Sequence, residues 1–172
     1  MNKSKILLSI VALCGMSITL HAQDYAVSNH SLSVDVFGLE YGYEQALTSH
    51  WTMIGRIGFT SMVTEAGYNE GIQLQSETKP ALSLETRYYT TLTRRFDRGR
   101  STLNNSSDFI MLRLTGAHML RDVDPLETKA IIAYGIRRSG KHLFIEPTFG
   151  AGYHSMPKQW APHLQIRLGL AF

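Results

Sequence analysis

Apolar and polar residues alternate at every second position in runs of about ten residues, and this period fits a β-strand. In the run that begins at Leu32, Phe37, Leu39, Tyr41 and Tyr43 alternate with Gly38, Glu40, Gly42 and Glu44. Trp51, Met53, Ile57 and Phe59 alternate with Thr52, Arg56, Gly58 and Thr60. Leu82, Leu84, Tyr88 and Leu92 alternate with Ser83, Glu85, Arg87 and Tyr89. Ile110, Leu112 and Leu114 follow, with Met111, Arg113 and Thr115 between them. Ile132, Tyr134 and Ile136 alternate with Ala133, Gly135 and Arg137. Leu143, Ile145, Phe149 and Tyr153 alternate with Glu146, Thr148, Gly150 and Gly152. The last run, HLQIRLGLAF, places Leu164, Ile166, Leu168, Leu170 and Phe172 on one side and Gln165, Arg167, Gly169 and Ala171 on the other. No segment after residue 22 shows a helical period of comparable length.

The breaks between runs read as antiparallel hairpin connections. Residues 45–50 are short, 63–79 are long and acidic, and 94–107 are basic and polar with Asn104-Asn105. Residues 121–128 are acidic with Pro125, 139–141 form a tight turn, and 155–162 carry Pro157 and Pro162. A soluble β-sandwich also alternates in this way. Three features favour a membrane barrel instead. The runs exceed the usual five or six residues and suit a tilted spanning strand. The polar face mixes glycine with charges of both signs, as a narrow lumen requires. Aromatics lie near the run ends, at Tyr43, Trp51, Phe109, Phe144, Trp160 and Phe172, where an interfacial girdle would need them.

The two ends of the chain point the same way. Residues 1–22 read as a secretory signal peptide, with Lys3 and Lys5 before an apolar stretch at 6–20 and Ala22 as the last residue before cleavage. Cys14, the only cysteine, lies inside that stretch, so residues 23–172 carry no thiol for a disulfide or a metal. These residues make one domain with no repeat or linker. The chain carries a net charge of +3.

The closing strand, Leu164, Ile166, Leu168, Leu170 and Phe172, resembles the C-terminal signal by which bacterial outer-membrane barrels are recognised by their assembly machinery. It departs from that pattern at Arg167, in place of a glycine, and at Leu170, in place of an aromatic. The stretches SVDVFGLEYGYEQAL, LETRYYTTLTRRFDRGRSTLNNSSDF, AYGIRR and FIEPTFGAGY resemble the small outer-membrane β-barrel proteins common in Bacteroidota. That family has no agreed activity, so the resemblance implies a fold and a location but no chemistry.

The expected fold is an all-β, antiparallel, up-and-down transmembrane barrel of eight strands in the outer membrane. Seven runs are distinct, and closure needs an even number. The eighth is expected as a short strand at 24–27, or from a bend that splits the first long run. An eight-stranded barrel is just wide enough for side chains to fill. Glu40, Glu85 and Glu146 with Arg56, Arg87, Arg113, Arg137 and Arg167 are therefore expected to form a lumen charge network. An unpaired charge there would cost several kcal/mol, on the order of the buried-ion penalty.

The expected role is structural or one of surface interaction, without catalysis or cofactor. A narrow channel and a lipid A-modifying enzyme are the alternatives. The only tempting catalytic set is His154-Ser155 with Glu127 or Asp124, but neighbours on a strand face opposite sides. His30, His50, His118 and His142 stand singly, and no histidine pair has metal-ligand spacing. Arg94, Arg95, Arg98 and Arg100 suggest a solvated periplasmic turn facing phospholipid head groups rather than nucleic acid. The acidic segments with Glu65, Glu70, Glu77, Asp122, Asp124 and Glu127 are expected to face outward, where ligand contact is concentrated. Expected partners are outer-membrane lipids, lipopolysaccharide and, during biogenesis, the assembly machinery. The protein is expected to be a monomer.

Overall fold

Alternation builds a sheet with one apolar and one polar face, and the chain pairs the two outermost strands of the barrel by closing that sheet on itself. The structure, a computed structural model, describes residues 25–35, 38–67, 73–117, 127–155 and 158–172, without the side chains of 61–67 and 73–78. The expected signal peptide, its cleavage site and Cys14 lie outside the described residues, as do His118, Asp122 and Asp124. The strands are β1 (Asn29–Asp35), β2 (Gly38–Ala46), β3 (Trp51–Gly67), β4 (Gln73–Tyr89), β5 (Asp108–Ala117), β6 (Glu127–Ile136), β7 (Arg138–Ser139), β8 (Leu143–His154) and β9 (Gln159–Ala171). All pairings are antiparallel and follow chain order, and β1 pairs with β9 to close an eight-stranded barrel in which β7 is a short extra strand.

β7 prolongs β6 in the same register, since Gly135 lies opposite Thr148 and Arg138 opposite Ile145. Pro147 falls in the gap between those pairs. It has no N–H to donate, so the ladder lapses there and resumes two residues on.

The strand expected at 24–27 is not present: Tyr25 to Ser28 form no ladder. The first long run instead divides into β1 and β2, paired from Asn29–Glu44 to Asp35–Gly38. The outward residues change parity across the bend, from Leu32 and Val34 to Leu39, Tyr41 and Tyr43, as a hairpin of even loop length requires.

β3 and β4 outrun their neighbours. β2 leaves β3 at Thr60 and β5 leaves β4 at Ala81, so the remainder of the β3–β4 ladder projects from one rim as a two-stranded ribbon, with a register shift between Val63 and Glu65. At the opposite rim, residues 90–107 are not a plain turn. Leu92 does not continue its strand but opens a short helix, α1 (Leu92–Asp97), and is fully buried beneath it. A 3-10 turn follows at Leu103–Asn105. Asn104 and Asn105 both adopt left-handed backbone (φ 49 and 59), which asparagine tolerates better than most residues. This turns the Asn105 side chain back onto Val27, accepting from its N–H and donating to its C=O, both at 2.8 Å. The segment before β1 is thereby strapped across the barrel end.

Candidate functional site

The polar face of each strand supplies the lumen. Glu40 and Glu44 come from β2, Arg56 from β3, Glu85 and Arg87 from β4, Arg113 from β5, Glu146 from β8 and Arg167 from β9. Arg137 occupies the gap between β6 and β7. All are buried, and Arg87, Arg137 and Arg167 retain at most 1% of their exposure.

Their charges alternate along a connected path. Arg113 Nη1 lies 3.6 Å from Glu40 and its Nε donates to Glu85 at 2.7 Å. Arg113 Nη2 is 2.6 Å from the same carboxylate but has no hydrogen-bond alignment to it. Arg56 Nε also reaches Glu85, at 3.3 Å. Arg87 binds Glu85 through Nε and grips Glu146 with both terminal nitrogens at 2.8 Å each. Arg167 joins Glu146 at 2.8 Å and donates to Gln165 at 3.0 Å. Arg137 continues the path, 3.8 Å from Glu146 and 3.2 Å from Glu44.

The structure thus brings together all eight residues expected in the lumen and adds Glu44. Glu44 accepts hydrogen bonds from Tyr89 Oη at 2.6 Å and Thr52 Oγ1 at 2.7 Å. Its position in a polar slot of a strand run was the available signal. The five arginines and four glutamates leave one positive charge in excess.

Two aromatics expected in the interfacial girdle belong to this lumen. Phe109 and Phe144 are buried, and Arg87 and Arg137 stack over their rings at 4.1 and 4.2 Å to the centroids. Their parity explains it, because Phe109 is in phase with Arg113 and Phe144 with Glu146. Gly135 faces Phe109, and a Cβ there would overlap the ring. Tyr43, Trp51, Trp160 and Phe172 remain on the outer surface.

Leu164, Ile166, Leu168, Leu170 and Phe172 all point outward from β9. Phe172 exchanges two main-chain hydrogen bonds with His30, at 2.8 and 3.0 Å, across the seam where the barrel closes.

His154, Ser155 and Glu127 of the tempting catalytic set lie at the end of the β6–β8 ladder, each with other partners. His154 ends β8, whereas the Ser155 hydroxyl accepts the Thr128 N–H at 2.9 Å. Glu127 pairs with Lys79 at 2.8 Å. His30 bonds Tyr41 Oη at 2.6 Å, and His50 bonds Ser49 and Thr93 at 2.9 and 2.7 Å. Among the described residues no group of histidines and carboxylates could hold a metal ion.

The fold is a closed eight-stranded antiparallel β-barrel, and its interior holds buried, ion-paired arginines and glutamates. Comparison with protein-family models, with curated proteins and with solved structures found no match.

Proposed function

We propose that the protein is an integral outer-membrane β-barrel with a structural or surface-interaction role, its lumen closed by side chains rather than open to solutes. One observation carries this reading: the barrel is inside-out. Leu82, Leu84, Ile110, Leu112, Leu114, Ile132, Phe149, Leu164, Ile166 and Leu168 stand on the outer wall, while arginines and glutamates fill the interior. A water-soluble monomer rarely exposes an apolar area of this continuity. In a bilayer the same wall is the favourable one. Strands of about ten residues, tilted about 45°, have the length a membrane crossing needs.

The polar network supports a plug. Opening a pore would require separating Arg87 from Glu146, and a buried charge left without its partner costs several kcal/mol, roughly the buried-pair value. The partners of this reading are outer-membrane lipids and lipopolysaccharide along the wall, with the assembly machinery acting on β9, and the barrel works as a monomer. The β3–β4 ribbon offers the surface for contacts beyond the membrane.

The test is envelope fractionation with gel migration before and after heating. The protein should sediment with outer membranes and shift mobility on heating, and planar bilayers containing it should show no conductance steps. Recovery as a soluble periplasmic protein would overturn the membrane reading, and stable unitary currents would overturn the plug.

A further inference from the structure

The cap formed by residues 90–107 has chemistry the plug does not use. Its outer face carries Arg94, Arg98 and Arg100, all exposed and without an ion pair among the described residues. Arg95 donates to the Ser101 carbonyl at 2.9 Å, and its buried Nε has no hydrogen-bond partner. With Arg138 and Lys141, this end of the barrel has six described side-chain cations outside the lumen against two side-chain carboxylates, Asp97 and Asp108. Only Arg138 is paired, to Asp108 at 2.8 Å. The local excess exceeds the +3 of the whole chain. Burial, with the neighbouring Arg138 and Arg100 guanidiniums and against the pull of Asp108, pushes Arg95 below its ordinary value.

The cap is also continuous with the apolar wall. Trp51 and Tyr88 stand on the outer wall at 5.1 Å between ring centroids. Tyr88 stacks on His50 at 5.9 Å, His50 contacts Tyr25 at 6.2 Å, and Tyr25 meets the exposed Phe96 of α1 edge-on at 5.3 Å. A row of rings therefore leads from the wall to the helix. Between the helix and the 3-10 turn lies a groove of about 440 Å³, with Tyr25, Val27, Phe96 and Leu103 as apolar lining and Arg100 at its side. Aromatic and apolar groups beside unpaired arginines match the junction between acyl chains and phosphates at a bilayer surface.

We propose that this cap is a phospholipid headgroup site, with Phe96 and Leu103 set at the acyl boundary and Arg94, Arg98 and Arg100 on the phosphates of the leaflet at the end where β1 begins and β9 finishes. The inference rests on the membrane reading. A barrel inserted from the periplasm keeps that end on the periplasmic side, where the leaflet is phospholipid rather than lipopolysaccharide. Arginine suits this partner because its planar fork pairs with phosphate oxygens in a bidentate manner. The short helix holds its charges at the height of the girdle, so the cap both closes the barrel end and fixes its depth.

The test uses residues 23–172 refolded into phosphatidylcholine bilayers with or without phosphatidylglycerol. Ser101→Cys, the sole cysteine of that segment, carries an environment-sensitive dye. Bound lipid is counted by native mass spectrometry, and insertion is checked in every sample by heat-modifiable migration. The dye should be shielded from iodide and quenched by headgroup nitroxides, and phosphatidylglycerol should be enriched around the barrel. The combined Arg94→Gln, Arg98→Gln and Arg100→Gln variant should insert normally yet lose that enrichment, by about fivefold for each arginine removed at low salt. Normal insertion with a water-exposed dye and unchanged lipid enrichment would overturn the cap proposal alone. Failure of the unaltered barrel to insert in either bilayer would overturn both readings.

Discussion

Arg87 and Glu146 form a two-pronged ion pair across the barrel, both terminal guanidinium nitrogens lying 2.8 Å from a carboxylate oxygen, with neither residue exposed to solvent. The pair spans from β4 to β8 and divides the lumen into two charge groups. Glu85 gathers Arg56 and Arg113 on one side, and Glu44 gathers Arg137, Tyr89 and Thr52 on the other. Arg87 touches Glu85 as well, so it joins them.

Replacing Glu146 therefore takes a carboxylate from three cations at once, Arg87, Arg167 and Arg137, and leaves Arg167 with only a 3.9 Å approach to Glu85. Glu146→Gln should destabilise the refolded barrel by about 3–5 kcal/mol, the cost of breaking a buried pair from one side. Glu40→Gln should cost less than half as much, because Glu40 has only a 3.6 Å contact with Arg113 and lies nearer the rim. Urea unfolding in lipid vesicles gives both values, and equal losses would show that the two positions share one environment.

Asn105→Ala should loosen the cap without opening the barrel. The Val27 N–H loses its partner and its C=O keeps only the 3.4 Å contact from Asn29, a loss of about 0.5–1.5 kcal/mol for each part-buried hydrogen bond. Hydrogen exchange should rise at 25–28 and 92–105 and stay unchanged in β3 to β6. Exchange that rises everywhere would mean the strap is part of the global fold.

The main chain and the ring of Phe172 lie in different surroundings and can be tested separately. Its main chain closes the seam with His30, while its ring lies outside, 6.1 Å from the His30 ring and largely exposed. Deleting the residue should therefore lower barrel stability as well as assembly. Phe172→Asp keeps the main-chain bonds and should change stability in vesicles by under about 1 kcal/mol, as expected for surface positions. In cells it should still cut the heat-modifiable fraction severalfold, because the aromatic is then missing from β9 when assembly begins. Normal envelope levels of Phe172→Asp would assign the ring to packing and remove the recognition role.

Period-two alternation made most of the barrel wall and lumen legible in the sequence. Outward and inward sets such as Leu84 against Glu85 follow from strand geometry alone. Where reading by position replaced reading by phase, it failed. Phe109 and Phe144 were expected in the girdle because they lie near strand ends, yet each shares the parity of the lumen charges. The change of parity from Leu32 and Val34 to Leu39 and Tyr41 marks the β1–β2 boundary, but the alternation read as one long run, with a split only as the alternative. Leu92 continued the apolar phase of β4, and nothing local announced that the next six residues would coil into a helix, because tertiary burial of Leu92 decides it. The reach of each arginine, and hence the division of the network between Glu85 and Glu44, depends on the stagger between strands, which no single run encodes.

The inside-out arrangement is tested most directly by placing arginine on the outer wall at two depths. Leu84 lies midway along the barrel portion of β4, 51% exposed and flanked by Gly55 and Leu114, while Tyr88 lies toward the capped end. Unfolding of Leu84→Arg in lipid vesicles should show a loss of about 2–4 kcal/mol, and Tyr88→Arg about 0–1 kcal/mol beyond the packing lost with the ring. Ser83→Arg is no neutral control, since Ser83 is buried against Thr115 at 3.1 Å. If Leu84→Arg left stability unchanged, as an exposed leucine in water would, the wall would not face lipid and the membrane reading would be contradicted.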